Sequence, residues 1–178
     1  MKIRVEDAKK KTLQLAESEP ASHYPALVEL EDAGEARFIA PVNVAVQAYW
    51  EYDHLRAEGK VETRVALSCS RCLADFERDL SSEFTIFYTP GGTMSGDEEV
   101  ELSEEELISV PFTGDEVDMA NEIFEQVMME IPYKPLCTDD CKGLCPNCGA
   151  DLNQGECGCD RRGVNLKMSA LKDLKIDK

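Results

Sequence analysis

The sequence predicts an α+β protein: an antiparallel, barrel-like β meander carrying one packed helix and a C-terminal cysteine-knuckle segment. Three observations lead there. Apolar side chains alternate with polar ones through the middle of the chain, as on half-buried strands. One later stretch, DMANEIFEQVMMEIP, instead spaces its apolar residues for a helix. Eight cysteines then fall into four close pairs, six of them between Cys137 and Cys159 and the other two at Cys69 and Cys72. These features divide the chain into a β-rich part over 1–133 with a closing helix, and a cysteine-rich segment with a basic tail over 134–178.

The elements follow in order. Lys11 to Glu17 alternates in part and reads as a first strand. EPASHYPALVELEDAGEA, punctuated by Pro20, Pro25 and Gly34, reads as irregular. Arg37 to Tyr52 reads as one long strand, with Val42, Val44, Val46 and Ala48 on one face and Asn43 and Gln47 on the other. Pro41 marks an edge or a break in it. The AEGK stretch, Ala57 to Lys60, is expected to reverse the chain as a hairpin before Val61 to Leu67 alternates again. Beyond CSRC, Phe84, Ile86 and Tyr88 share one face and Thr85 and Phe87 the other. The Gly-, Ser- and acid-rich stretch 90–106 reads as a mobile loop, and Leu107 to Phe112, with Pro111, as an edge strand. In the helix, Ala120, Ile123, Phe124, Val127 and Met128 recur on one face, Asp118 stands as N-cap and Pro132 ends it. Its Met and Phe stripe reads as a core face.

The charge narrows the classes of partner. Net charge is -17, from 19 basic and 36 acidic side chains. Nucleic-acid affinity comes largely from counterion release by Lys and Arg, so this balance favours a basic protein partner or serves solubility. The acid is concentrated: thirteen Asp and Glu lie between Thr89 and Tyr133, with no Lys, Arg or His. Both ends lean basic. At the N-terminus, MKIRVEDAKKKTLQL lacks the apolar core of a secretory signal, and no run is apolar and long enough to span a bilayer. A cytoplasmic location is the expectation, and in a reducing compartment close cysteine pairs point to metal rather than to disulfides.

Cys145-Pro-Asn-Cys148-Gly is a knuckle sequence in which two sulfurs reach one tetrahedral ion. Gly149 suits the positive φ that such a turn needs. The short DLNQGE link returns the chain to Cys157-Gly-Cys159, completing a local set of four thiolates. Cys69, Cys72, Cys137 and Cys141 supply a second set, provided the CSRC turn meets the segment after the helix. The expectation is therefore two Zn²⁺ sites, one a local zinc knuckle and one a long-range staple. The alternative is a single zinc shared by Cys141, Cys145, Cys148 and one of the last pair. Iron also suits four sulfurs, though it ranks below zinc. Four thiolates leave no open coordination position for Lewis-acid catalysis. A redox reading of CSRC requires the motif to open a helix, whereas strand residues follow it.

SCSRCLADF (Ser68 to Phe76), EIFEQVMMEIPYKPLC (Glu122 to Cys137), CKGLCPNCGADLNQGECGC (Cys141 to Cys159) and the closing ALKDLK resemble the YceD family from about Ala36 onward. Its members are described as large ribosomal RNA subunit accumulation proteins. The resemblance implies a role in accumulation or maturation of the large-subunit (23S) rRNA; because the sequence lacks a convergent catalytic pattern, the expectation is a non-enzymatic assembly factor. On that reading the partner is a pre-large-subunit particle, a ribosomal protein or the rRNA; for lack of an apolar span and of nucleotide-binding motifs, no membrane and no small-molecule substrate are expected. The other readings are a thiol redox protein and a zinc-storage or sensor protein.

Other chemistry lacks its residues. There is no Walker A loop and no GxGxxG. His23 lies in a Pro-flanked irregular segment, and His54 near a hairpin end is expected to be exposed; neither joins a nucleophile motif. The acids of 97–106 lack the spacing of a calcium loop. If RNA is contacted, Arg161, Arg162, Lys167, Lys172 and Lys175 of the basic tail are the candidates, beside an apolar stripe of Leu166, Leu171 and Leu174.

Overall fold

Alternating valines build the centre of the molecule. In the computed structural model, which describes residues 1–91 and 109–160, strands β2 (Leu13–Glu19), β3 (Arg37–Phe38), β4 (Val42–Glu51), β5 (His54–Ser68), β6 (Asp75–Pro90) and β7 (Ser109–Phe112) form one six-stranded sheet. Its order is β2-β4-β5-β6-β7, with β3 also on β5. All pairings are antiparallel except β6 with β7. One face carries the core: Val42, Val44, Val46 and Ala48 of β4, Leu55, Ala57, Val61 and Val65 of β5, and Phe84, Ile86 and Tyr88 of β6 are all buried. A small second sheet pairs β1 (Lys2–Arg4) with β8 (Glu116–Asp118), burying Ile3 and Val117. Helix α1 (Val5–Lys10) packs on β4, and α3 (Ala120–Glu130) packs on β5 and β6 through the buried Ile123 and Val127. The expected N-cap is corrected by one residue: Met119 holds that position with no side-chain cap, while Asp118, the last residue of β8, accepts the Ala120 N–H through Oδ1 at 3.1 Å. The helix ends before Pro132, as its sequence requires.

Several expectations are corrected. Among the described residues β2 pairs only with β4 and β7 only with β6, so the sheet stays open and no barrel closes. The chain does not reverse at Ala57–Lys60. It reverses at Tyr52–Asp53, where Glu51 faces His54 and Tyr52 takes φ 52°. Gly59 lies inside β5, between Val46 and Phe84, where a Cβ would come within 2.6 Å of Phe84 Cζ. This glycine admits an aromatic ring rather than making a turn. The long strand read over Arg37–Tyr52 does break at Pro41, one of the two outcomes that proline indicated, giving β3 and β4. The break stays on the sheet: Ile39 N donates to Arg64 O at 2.9 Å, and Thr63 Oγ1 donates to Ala40 O at 3.2 Å. The stretch read as irregular contains a short 3₁₀ turn (Ala21–His23) and helix α2 (Pro25–Asp32), which buries Leu27. Pro25 opens that helix, because a proline at the first position removes only a donor that has no partner there. Ser109–Phe112 forms the expected edge strand, with Pro111 opposite Thr89. The acidic stretch 92–106 and the tail from Arg161 onward lie outside the described residues.

Candidate metal centres

Strands β5 and β6 are joined by a tight turn that carries Cys69 and Cys72. Cys69 N donates to Ala74 O and Leu73 N donates to Cys69 O, both at 2.9 Å. The Cys145–Cys148 turn repeats this wiring: Cys145 N donates to Ala150 O and Gly149 N to Cys145 O, both at 2.8 Å. The two turns are thus the same knuckle built twice. In the second, Gly149 occupies the left-handed position at φ 74°; in the first that position is held by Leu73, at φ 61° and 69% exposed. Each knuckle turns backbone N–H groups toward sulfur. The Cys72 N–H, then those of Cys137 and Arg71, hold the Cys69 thiol down at about 6. The Asn147 and Cys148 N–H groups do the same for Cys145, also to about 6.

The eight cysteines assemble as two groups of four, Cys69, Cys72, Cys137 and Cys141, and Cys145, Cys148, Cys157 and Cys159, with the sulfurs of each group within 4.8 Å of one another. In the first group, Cys69 and Cys141 Sγ are 3.7 Å apart and Cys72 and Cys137 Sγ 3.6 Å apart. A tetrahedron of thiolates about 2.3 Å from a zinc ion has edges of about 3.8 Å, so the donor set fits. Cys141 joins the first group, so the single set built on Cys141, Cys145 and Cys148 does not assemble. CSRC sits between two strands and not at a helix start, which removes the geometry of the redox reading. Four sulfurs gathered this closely cannot all ionise without a cation. The Ala74 N–H pulls Cys72 down, but burial and the neighbouring thiols push it up to about 12, and Cys148 and Cys157 push Cys159 to about 12. A bound metal relieves this conflict.

The two centres differ in setting. Cys69, Cys72 and Cys141 of the inner centre are buried, and Leu136 and Phe76 pack on it. In the outer centre Cys145 is buried, Cys148 exposed, and Cys157 and Cys159 intermediate. Backbone bonds clamp the cysteine-rich segment to the first knuckle: Ser70 N donates to Pro135 O at 2.8 Å and Leu144 N to Arg71 O at 3.0 Å. Arg71 Nη1 donates to Cys141 O at 2.7 Å. Leu144 bridges Asp151 in a small hairpin that encloses the second knuckle.

One contributor was missed from sequence. Asn153 Nδ2 donates to Cys141 Sγ at 3.5 Å, and its Oδ1 accepts the Lys142 N–H at 2.8 Å. Asp151 Oδ1 accepts both the Asn153 backbone N–H and Nδ2, at 2.9 and 2.8 Å. The outer hairpin therefore hydrogen-bonds a sulfur of the inner centre. The signal was present in the D-L-N run between the last two cysteine pairs. His54 is corrected: its side chain is only 12% exposed and packs edge-on against Phe87 with ring centroids 5.3 Å apart. His23 is more than half exposed beside Glu19. The tail candidates Arg161, Arg162, Lys167, Lys172 and Lys175 lie outside the described residues. Among the described residues no helix is long and apolar enough to cross a membrane.

Comparison with known proteins agrees with the motifs. The family described as "Large ribosomal RNA subunit accumulation protein YceD" matches residues 57–175. The chain is 29% identical over 156 residues to a chloroplastic large ribosomal RNA subunit accumulation protein YCED homolog 1 of Arabidopsis thaliana, covering 76% of this chain and 49% of that one. Its Zea mays counterpart is 27% identical over 168 residues, covering 80% and 56%. An uncharacterized protein of Mycobacterium tuberculosis is 33% identical over 95 residues, covering 53% and 43%. The chain thus spans about half the length of the curated relatives it matches. No solved structure matches it.

Proposed function

Because the chain belongs to the YceD family, we propose that it is a non-enzymatic factor supporting accumulation of large-subunit (23S) rRNA, acting in the cytoplasm on a pre-large-subunit particle. Two zinc ions stabilise it, one in each four-cysteine centre, and neither takes part in chemistry. The observation that carries the zinc assignment is the sulfur geometry of the inner centre, 3.6 and 3.7 Å between paired sulfurs. A closed four-thiolate site contributes folding energy and offers no position for substrate.

Two measurements test it. In a sucrose gradient of cell lysate, the protein is expected to run with pre-large-subunit particles and to leave them after RNase treatment. If it stays in the light fractions even at low salt, the particle assignment fails. Metal analysis is expected to give two zinc per chain, falling to one in the Cys69→Ser, Cys72→Ser variant; one zinc unchanged by that variant refutes the two-site reading. The exposed Cys148 supports a second reading, in which the outer zinc is exchangeable and the protein stores or senses it. Full exchange of one zinc at physiological chelator levels, together with no particle association, favours that reading.

A further inference from the structure

A cleft opens beside the inner centre. Its volume is about 560 Å³, and Ser70, Arg71, Tyr133, Lys134 and Leu136 line it. The lining contains two cations and no carboxylate, in a chain whose net charge is -17. Elsewhere Lys2, Arg4, Lys10, Arg56, Lys60 and Arg64 each hold a carboxylate within 4.0 Å. Among the described residues Arg71 and Lys134 hold none, and neither do Lys9, Lys11, Arg37, Arg78 and Lys142; what sets the pair in the cleft apart is that they line one opening together with an exposed ring. Tyr133 lines the same cleft and is 95% exposed, the most exposed large apolar side chain among the described residues. The walls are anchored. Tyr133 follows Pro132 at the end of α3, Pro135 O accepts the Ser70 N–H, and Leu136 packs on the inner cysteines. Arg71 is held by its bond to Cys141 O, which leaves its other guanidinium N–H groups to face a ligand.

We propose that this cleft binds a single-stranded RNA segment, a base stacking on Tyr133 and the flanking phosphates meeting Arg71 and Lys134. The choice of polymer rests on the rRNA-related reading above; the rest rests on the cleft. Two cations that line one cleft with no carboxylate among its walls give that cleft a locally positive field in an acidic molecule, and so favour an anion there. A solvent-exposed ring beside them adds what a phosphate alone would not use, the flat face on which an unstacked base lies. Duplex RNA keeps its bases stacked on one another and offers no such face, so a loop or an end is the form that fits. The competing explanation is that Arg71 and Lys134 merely offset the negative charge of a metal–thiolate centre. That account gives Tyr133 no role, and the ring therefore decides between the two.

The test titrates the full-length, metal-bound protein into a fluorescein-labelled 12-nucleotide mixed-sequence RNA, followed by anisotropy at two salt concentrations. Tyr133 and Lys134 are both exposed, so their variants are expected to fold, and retained metal content checks this. Tyr133→Ala is expected to weaken binding about tenfold or more, the loss of one stacked base, while Tyr133→Phe retains it. Lys134→Glu is expected to weaken binding and lower the salt dependence by about one phosphate contact. The losses caused by Tyr133→Ala and Lys134→Glu are expected to persist in a chain in which Arg161, Arg162 and Lys167 are all replaced by Gln. RNA binding that is absent in wild type at low salt, or unchanged in Tyr133→Ala and Lys134→Glu, overturns the proposal. Particle co-sedimentation would survive either result if the broader functional reading holds. Loss of co-sedimentation in Tyr133→Ala with RNA affinity unchanged overturns it too, and makes the cleft a protein-docking site.

Discussion

Gly59 and Asn153 show how single residues act through what they touch. Gly59 faces the core in the row Val46–Gly59–Phe84, and the space a Cβ would need is filled by the Phe84 ring and by Ala45 O, 2.6 and 2.8 Å away. Gly59→Ala is expected to cost about 2 kcal/mol in urea unfolding, the usual scale of overpacking. An unchanged midpoint would mean that the ring and strand move aside freely. Asn153 is the only side chain among the described residues seen to donate to a cysteine sulfur of the inner centre from the outer hairpin. Asn153→Asp keeps the shape, removes the N–H donor and sets a carboxylate against a thiolate. Loss of a hydrogen bond to a metal ligand commonly lowers metal affinity about 10–100-fold, and competition with a chromogenic chelator is expected to show that drop at the inner centre alone. An equal drop at both centres would contradict the geometry.

At the scale of elements, α3 carries both the core contact and a buried conflict. Glu122, on its first turn, is half-buried close to Tyr88; desolvation comes first among the effects that raise its carboxyl above the ordinary range. A carboxyl raised in the folded state leaves stability intact below its unfolded value near pH 4.5 and erodes it as pH rises through the folded value. Glu122→Gln is therefore expected to raise the melting temperature at pH 7 and to leave it unchanged at pH 4, where both side chains are neutral. A gain at both pH values would point to packing instead. The apolar face of the same helix was legible in sequence, because Ile123 and Val127 fall on one helical face and both prove buried; its N-cap was misplaced by one residue. The valine alternation of β4 was equally plain. What stayed hidden has physical reasons. Gly59 reads as a turn because the ring it admits sits 25 residues further on, and Pro25 reads as a break because a helix start and a loop both accept proline. Strands β1 and β8 are only three residues each, too short to show a period, and their partners lie more than 110 residues apart. The sulfur groups were legible as pairs; the Asn153 bond was not, since it depends on how the second hairpin docks.

At the scale of the whole molecule, the two centres divide the labour between local and global order. The outer group gathers one small hairpin region, whereas the inner one brings Cys72 to Cys137 across 65 residues, so a metal held there would tie them. A crosslink of that span restricts the unfolded chain by about 4 kcal/mol in the loop-entropy picture. Cys72→Ser is therefore expected to lower unfolding stability far more than Cys148→Ser, and a chelator is expected to strip the exposed outer centre first. Equal losses would place both centres on the same footing. The span also sets a timetable. Cys69 and Cys72 leave the ribosome while Cys137 and Cys141 are still untranslated, and at about 5–20 residues per second the wait lasts several seconds. During that interval the first two thiols form only half a site, and β1 likewise lacks its partner β8. The nascent sheet can pair from β2 through β6, but the molecule seals only once its last third has been made, so a chain truncated before Cys137 carries an open pair of thiols.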